Sequence, residues 1–216
     1  RVLEEITRRP AGEKNYEAWQ FNALAGLAEG AAQENSPFSK ALQKARKPIG
    51  DMVEAASALI GKPGTAQELR NAAIRLAGVS PALGSIPPGA LKELANLLNI
   101  RNSLQLQELA IDSLARFPSP EVPTLLLGSW KEQGPSIRSR ILTLILRREE
   151  WVGTLLDAIE SGLIASGEVG ALERAGLTSH PNAAIRKRAR ALLGATNTDR
   201  AAVIKKYQAV KTLVPD

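Results

Sequence analysis

The stretch "ELRNAAIRLAG", residues 68–78, decides the fold. Its apolar residues Leu69, Ala73 and Ala77 recur every four positions, which places them on one stripe of a helix. The same spacing returns in "QLQELAIDSLAR" (105–116), "SIRSRILTLIL" (136–146) and "AIRKRARALLG" (184–194). The anchors there are Leu106, Ala110 and Leu114, then Ile137, Ile141 and Ile145, then Ile185, Ala189 and Leu193. Four copies of one helical pattern predict a chain built from repeated helical hairpins.

A polar residue follows the first anchor of each copy. It is arginine in three copies, at Arg70, Arg138 and Arg186, whereas Gln107 makes the second copy looser. The first anchors lie 37, 31 and 48 residues apart, so each step fits one hairpin and the last leaves room for an extra helix or a long loop. We therefore predict an all-α fold, an α-solenoid of HEAT-like hairpins forming an α-α superhelix.

Helical periodicity separated by Pro, Gly, Ser and Asn covers most of the chain. It predicts helices near 15–32, 49–60, 65–79, 88–99, 103–116, 120–132, 136–148, 149–161, 167–177, 182–194 and 199–213. Gly61, Gly162 and Gly194 stand where helices are expected to end in a left-handed residue. In domain terms we predict a solenoid over 1–195 and a C-terminal amphipathic helix over 196–216 that leads to a following domain.

Composition and charge exclude several classes of protein. Alanine and leucine supply 33 and 30 of the 216 residues, as expected for closely packed helices. There is no cysteine, so disulfides, thiolate nucleophiles and zinc–thiolate sites are excluded. No apolar run approaches the roughly 18–20 residues of a membrane span, and the charged start of the chain is unlike a signal peptide. The absence of an initiator methionine leads us to expect part of a longer polypeptide.

The net charge of +6 arises in one region. Residues 181–216 contain eight Lys or Arg and two Asp or Glu, and the preceding 180 residues contain 20 of each sign. Helical projection of 184–194 places Arg186, Lys187 and Arg190 opposite the apolar stripe and Arg188 on its flank. A solvated helix face is the favoured interpretation, and an interaction surface formed by Arg186, Lys187, Arg190, Lys205 and Lys206 is the functional alternative. We do not expect nucleic-acid binding, because no aromatic residues interleave with this cluster.

Catalytic chemistry is not indicated anywhere. His180, the single histidine, precedes Pro181 and is expected to serve a turn or a helix cap. The stretch "GKPGT" (61–65) lacks the glycine and the hydroxyl residue that a phosphate-binding loop requires. Trp19, Trp130 and Trp151 are interpreted as core anchors. We predict no catalytic, cofactor-binding or metal-binding residue, and no enzymatic activity of this chain.

Several stretches, in order, resemble one family. They are "AWQFNALAGLAEG" (18–30), "ELRNAAIRLAG" (68–78), "REEWVGTLLDAIESGLI" (148–164), "LTSHPNAAIRKRARALLG" (177–194) and "DRAAVIKKYQAV" (199–210). Together they are similar to the HEAT-repeat region of the planctomycete-type membrane-bound dehydrogenases. In that family a sugar-dehydrogenase-like β-propeller precedes the region, and a c-type haem domain with a Cys-x-x-Cys-His motif follows it.

The resemblance implies a non-catalytic scaffold that connects these two domains in an extracytoplasmic, periplasmic oxidoreductase. Haem is then expected only in a following domain, and the expected partners are neighbouring domains of the same polypeptide or other proteins. An alternative is a HEAT-like DNA-binding protein such as an alkylpurine DNA glycosylase. A peptide- or protein-binding solenoid unconnected with redox chemistry is a third possibility.

Overall fold

A computed structural model of the chain describes residues 2–10, 16–31 and 37–194. Within these ranges the fold is all-helical, which confirms the predicted class. It contains twelve α-helices and no strand: α1 Val2–Thr7, α2 Ala18–Ala31, α3 Pro37–Lys44, α4 Arg46–Ile60, α5 Gln67–Val79, α6 Ala90–Asn96, α7 Leu104–Leu114, α8 Val122–Gly128, α9 Pro135–Leu146, α10 Glu149–Glu160, α11 Ala171–Thr178 and α12 Ala183–Leu193. Short 3-10 turns add Ser80–Leu83, Trp130–Glu132 and Ser166–Glu168. No helix in this part of the chain is long and apolar enough to cross a membrane.

The chain forms two compact units, Arg1–Ile137 and Arg138–Asp216. In the first unit α5 is central and packs against α2, α4 and α7. Hairpin α4/α5 contacts hairpin α6/α7 through both of its helices, α4 with α6 and α5 with α7, and α6 also contacts α8. The core includes Phe21 and Leu24 of α2, Met52 of α4, and Ala73 and Leu76 of α5. Helical hairpins therefore pack in two layers within this unit.

A close approach of α5 and α7 depends on Gly78. A β-carbon at that position would lie 2.8 Å from the Cβ and Oγ of Ser113 and 2.9 Å from its Cα. The Ser113 hydroxyl donates a hydrogen bond of 3.2 Å to the carbonyl of Ile74. Since real β-carbons are excluded from such distances, glycine permits this contact between the two helices.

In the second unit α12 packs against α10 and α11. Its buried apolar residues include Trp151 and Leu155 of α10, Leu177 of α11, and Ala189 and Leu193 of α12. A left-handed glycine, Gly162 with φ of 75°, follows α10. Since a β-carbon disfavours that conformation, this glycine lets the chain turn away from the helix.

The predicted apolar stripes are confirmed. Nine of the twelve anchors are buried, and the other three, Leu69, Leu106 and Ile185, are half-buried. Each of these three is the first anchor of its segment and lies near the N-terminal end of its helix. The anchors that follow by four and eight residues lie deeper in the packing.

Some boundaries and turns differ from expectation. Helices α1 and α3 were not predicted, and α4 begins at Arg46, so Pro48 lies in its first turn, where proline costs no helical hydrogen bond. Gly162 is left-handed as predicted, but the helix-ending Gly61 and Gly194 have φ of −90° and −75° and are right-handed. The predicted C-terminal helix, with Lys205 and Lys206, lies outside the described residues.

Candidate interaction surfaces

The basic helix α12 begins at a side-chain cap. Asn182 Oδ1 accepts from the backbone N–H of Ala184 at 3.0 Å and of Ile185 at 3.4 Å, while its Nδ2 donates to Glu149 at 2.7 Å. His180 Nδ1 accepts from the N–H of Asn182 at 3.1 Å. The histidine thus shapes the turn before the helix, as expected from its position.

The arginines of α12 make bonds within their own unit. Arg186 Nη1 donates to the carbonyls of His180 at 2.6 Å and Pro181 at 3.0 Å. Arg190 Nε donates to the carbonyl of Thr178 at 2.9 Å. Two residues of the predicted interaction surface therefore serve to fix the corner between α11 and α12.

Arg188 bridges to α10. It forms ion pairs with Asp157, at 2.6 Å, and with Glu160. The hydrogen bonds that Arg188 donates to Glu160 and then to Asp157 raise the pKa of its guanidinium above its already high value. Lys187 is exposed and makes no hydrogen bond or ion pair with another residue of the described ranges. Most of the basic side chains of α12 are therefore already bound to groups within their own unit.

The polar residue after the first anchor has a recurring role. Arg70 Nη2 donates to the carbonyl of Lys62 at 2.9 Å. Gln107 Nε2 donates to the carbonyls of Asn102 at 2.9 Å and Asn99 at 3.3 Å. Like Arg186, each side chain satisfies carbonyls of the loop that precedes its own helix. We call Arg70, Gln107 and Arg186 the corner donors, and Gln107 is a chemical equivalent of the arginines.

The third copy differs. Arg138, which opens the second unit, forms an ion pair with Glu168. Glu168 Oε2 also accepts from the backbone N–H of Ala165 at 2.8 Å. Arg138 therefore binds the 3-10 turn before α11 through a carboxylate.

Glu29 of α2 is the centre of an ion-pair network in the first unit. It binds Arg75 of α5 at 2.7 Å and Arg116, which follows α7, at 2.8 Å. The hydrogen bond from Arg75, followed by that from Arg116, outweighs partial desolvation and lowers the pKa of Glu29. The network connects three helical segments at the surface, where both arginines are already paired.

The three tryptophans have different environments. Trp130 and Trp151 are only 1% and 2% exposed, which confirms them as core residues, and the Arg148 guanidinium lies 4.4 Å from the Trp151 ring centroid. Trp19 is 53% exposed, so its assignment to the core was wrong. Its indole Nε1 donates to Glu17 Oε2 at 2.5 Å, which keeps the polar edge of the ring at the surface.

A cleft of about 470 Å³ lies in the first unit between the end of α4 and the start of α6. Its walls combine carboxylates with small and cyclic residues, among them Glu54, Ser57, Ala58, Gly61, Pro88 and Glu93. Sequence reasoning treated 61–65 and 87–89 only as helix punctuation. No sequence signal pairs them, because Glu54 and Glu93 are ordinary helical glutamates that only the fold brings to one cleft.

The described residues contain no group of three or more His, Asp or Glu that could hold a metal ion. Comparison with protein-family models and with curated proteins finds no match to this chain. Function must therefore be argued from the geometry of the hairpins, the basic helix and the cleft.

Proposed function

We propose that this chain is a helical-repeat scaffold of the α-solenoid type that binds and orients other protein domains. The observation that carries the proposal is the two-layer contact between hairpins α4/α5 and α6/α7. Repeats that share such contacts stack into rigid, extended surfaces, which suits them to hold partner domains. The corner donors support the proposal, since three copies shape the preceding loop by the same chemistry.

Within this proposal, the resemblance to the dehydrogenase family gives the partners. We propose a connector between a sugar-dehydrogenase-like propeller and a c-type haem domain, located outside the cytoplasm, with haem bound only by the following domain. A Cys-x-x-Cys-His motif encoded within about 100 residues, one domain length, after Asp216 is the expected finding. A continuing reading frame without it would contradict this assignment but not the scaffold itself.

The competing function is duplex-DNA binding, as in a helical-repeat glycosylase. It requires free cations along a groove, whereas Arg186, Arg188 and Arg190 all hold partners within their own unit. We therefore expect no salt-sensitive DNA affinity.

The test is fluorescence anisotropy of a labelled 20-base-pair duplex titrated with the chain between 50 and 200 mM salt. A protein that neutralises six to ten phosphates would lose about 10³ to 10⁵ in affinity over that range. Tight binding with such a slope would replace the scaffold proposal with the DNA-binding one. Isothermal titration with the adjacent encoded domains tests the scaffold directly, and absence of heat or complex with either domain would contradict it.

A further inference from the structure

We propose that the cleft between α4 and α6 binds an arginine side chain presented by an extended segment of a partner protein. This inference rests on the proposed scaffold function and adds the chemistry by which one partner is recognised. At about 470 Å³ the cleft has the size of a ligand site rather than of a packing defect. All of its lining residues belong to the first unit.

Two carboxylates of the cleft have no cation. Glu54 is exposed in the middle of α4, and Glu93 is half-buried on α6. Neither carboxylate forms a hydrogen bond or an ion pair with another residue in the described part of the chain, although Lys62 also lines the cleft. Two carboxylates against one lysine leave a net negative lining, which favours a cationic ligand.

Gly61 brings the Glu93 carboxylate close to the backbone of α4. A β-carbon at position 61 would lie 2.5 Å from Glu93 Oε2, so only glycine leaves this carboxylate where it is. Gly61 has φ of −90°, which any residue can adopt. The backbone conformation therefore does not require glycine here, but a β-carbon would have to displace the end of the Glu93 side chain.

A third polar group points to a hydrogen-bonding ligand. Ser57 is 9% exposed and lines the cleft, and its hydroxyl has no hydrogen-bond partner among the described residues. Serine on a helix commonly bonds to the carbonyl of the preceding turn, so this hydroxyl, which lines the cleft and makes no such bond, is available to a ligand donor.

Guanidinium fits these groups better than the other cations. Its five N–H donors, arranged in a planar fork, suit two carboxylates and a hydroxyl, whereas ammonium is a compact point charge. A divalent ion is disfavoured because no third acidic or histidine side chain joins the pair. Ala58, Pro87 and Pro88 provide apolar walls along which the arginine stem can pack.

The experiment is an NMR titration of the ¹⁵N-labelled full chain with three capped pentapeptides that differ only in the central residue. Arginine is the ligand, citrulline is its neutral isostere and lysine is the other cation. We expect the arginine peptide to shift the amide signals of Ser57, Ala58 and Gly61 with saturation, and the citrulline peptide to shift none. Equal effects of arginine and citrulline, stronger binding of lysine, or no saturable shift would each overturn the proposal.

Variants locate the site. We expect Glu93→Gln to weaken binding of the arginine peptide by about tenfold, or about 1.4 kcal/mol, because a charge-assisted hydrogen bond is lost. Gly61→Ala should weaken it as well, by displacing Glu93 without changing any charge. Glu68→Gln, the same charge change on an exposed residue of α5, is the control and should bind as the parent does.

Unchanged affinity in both Glu93→Gln and Gly61→Ala, with folding verified by circular dichroism, would overturn the assignment. The result also separates two failures. Loss of this site with intact binding of the adjacent domains removes only the arginine inference, whereas loss of domain binding with an intact peptide site contradicts the scaffold proposal.

Discussion

Helices α5 and α12 carry the same apolar spacing but are held by different forces. Seven residues of α5 are buried, from Ala72 to Val79 with one exception, and three neighbouring helices cover it. In α12 only Ala189 and Leu193 are buried, while a cap, three hydrogen bonds from arginines to carbonyls and a double ion pair hold its surface. A shared sequence pattern thus fixes which face turns inward, and the number of neighbours decides how much of the stability comes from burial.

The largest expected effect is at the centre of α5. Replacing Leu76, which is fully buried, with alanine should lower the free energy of unfolding by about 2–5 kcal/mol through lost transfer energy and a cavity. Ile185→Ala on α12 removes a half-buried side chain and should cost below about 2 kcal/mol. Urea unfolding followed by far-UV circular dichroism measures both, and equal losses would contradict the contrast drawn between the helices.

The second largest effect on stability is expected where α5 and α7 approach each other closely. Gly78→Ala should destabilise by about 1–3 kcal/mol, because its β-carbon would meet the Ser113 backbone, which cannot rotate away. Gly26→Ala on α2 is the matched control, with no atom within 4 Å of the new β-carbon. This control should gain about 0.5–1 kcal/mol from helix propensity. Differential scanning calorimetry distinguishes the opposite signs, and a stabilising Gly78→Ala would show that the helices separate at little cost.

A smaller effect is expected at the side-chain cap of α12. Asn182→Ala is expected to cost about 1 kcal/mol and to speed hydrogen exchange of the Ala184 and Ile185 amides. Asn182→Ser keeps an acceptor oxygen and should restore slow exchange. If exchange in the serine variant is as fast as in the alanine variant, the bond from Asn182 to Glu149, and not the cap, holds the turn.

The smallest expected effect concerns pH and the Glu29 network. Because the pKa of Glu29 is lowered from 4.5 in the folded state, its contribution is present above about pH 4.5 and is lost as pH falls through the folded pKa. Glu29→Gln should therefore cost less than about 1 kcal/mol at pH 7, as for exposed ion pairs, and a smaller amount at pH 3. Urea midpoints of both proteins at the two pH values test this. A constant difference would mean that the carboxylate charge is not involved.

Periodicity predicted most of the helices and the inward faces, because burial imposes a repeat that the sequence displays. It failed at α3, Pro37–Lys44, because this helix has only eight residues and helical periodicity is read over a window of roughly 11–18. It also predicted the start of α4 near residue 49, whereas the helix begins at Arg46 and includes Pro48 in its first turn. These errors share a cause, since short elements and helix ends depend on neighbours more than on their own residues.

The polar contacts were less predictable. No feature of the sequence indicates that Gln107 has the same role as Arg70, because the two differ in charge and share only a long side chain with N–H donors. Gly61 follows the end of α4 as predicted, but its conformation is right-handed. The group that a β-carbon would meet there is the Glu93 carboxylate. The cleft could not be foreseen, since its two glutamates meet only after α4 and α6 pack.

The contacts of the corner donors can form early, while the chain is still being synthesised. Each reaches back only five to eight residues to the carbonyl it satisfies. Contacts over so short a separation cost little loop-closure entropy and do not wait for distant segments. The loop and the first turn of its helix are therefore specified by about a dozen consecutive residues. Such a unit can be exchanged between repeats, or duplicated, without changes elsewhere in the chain.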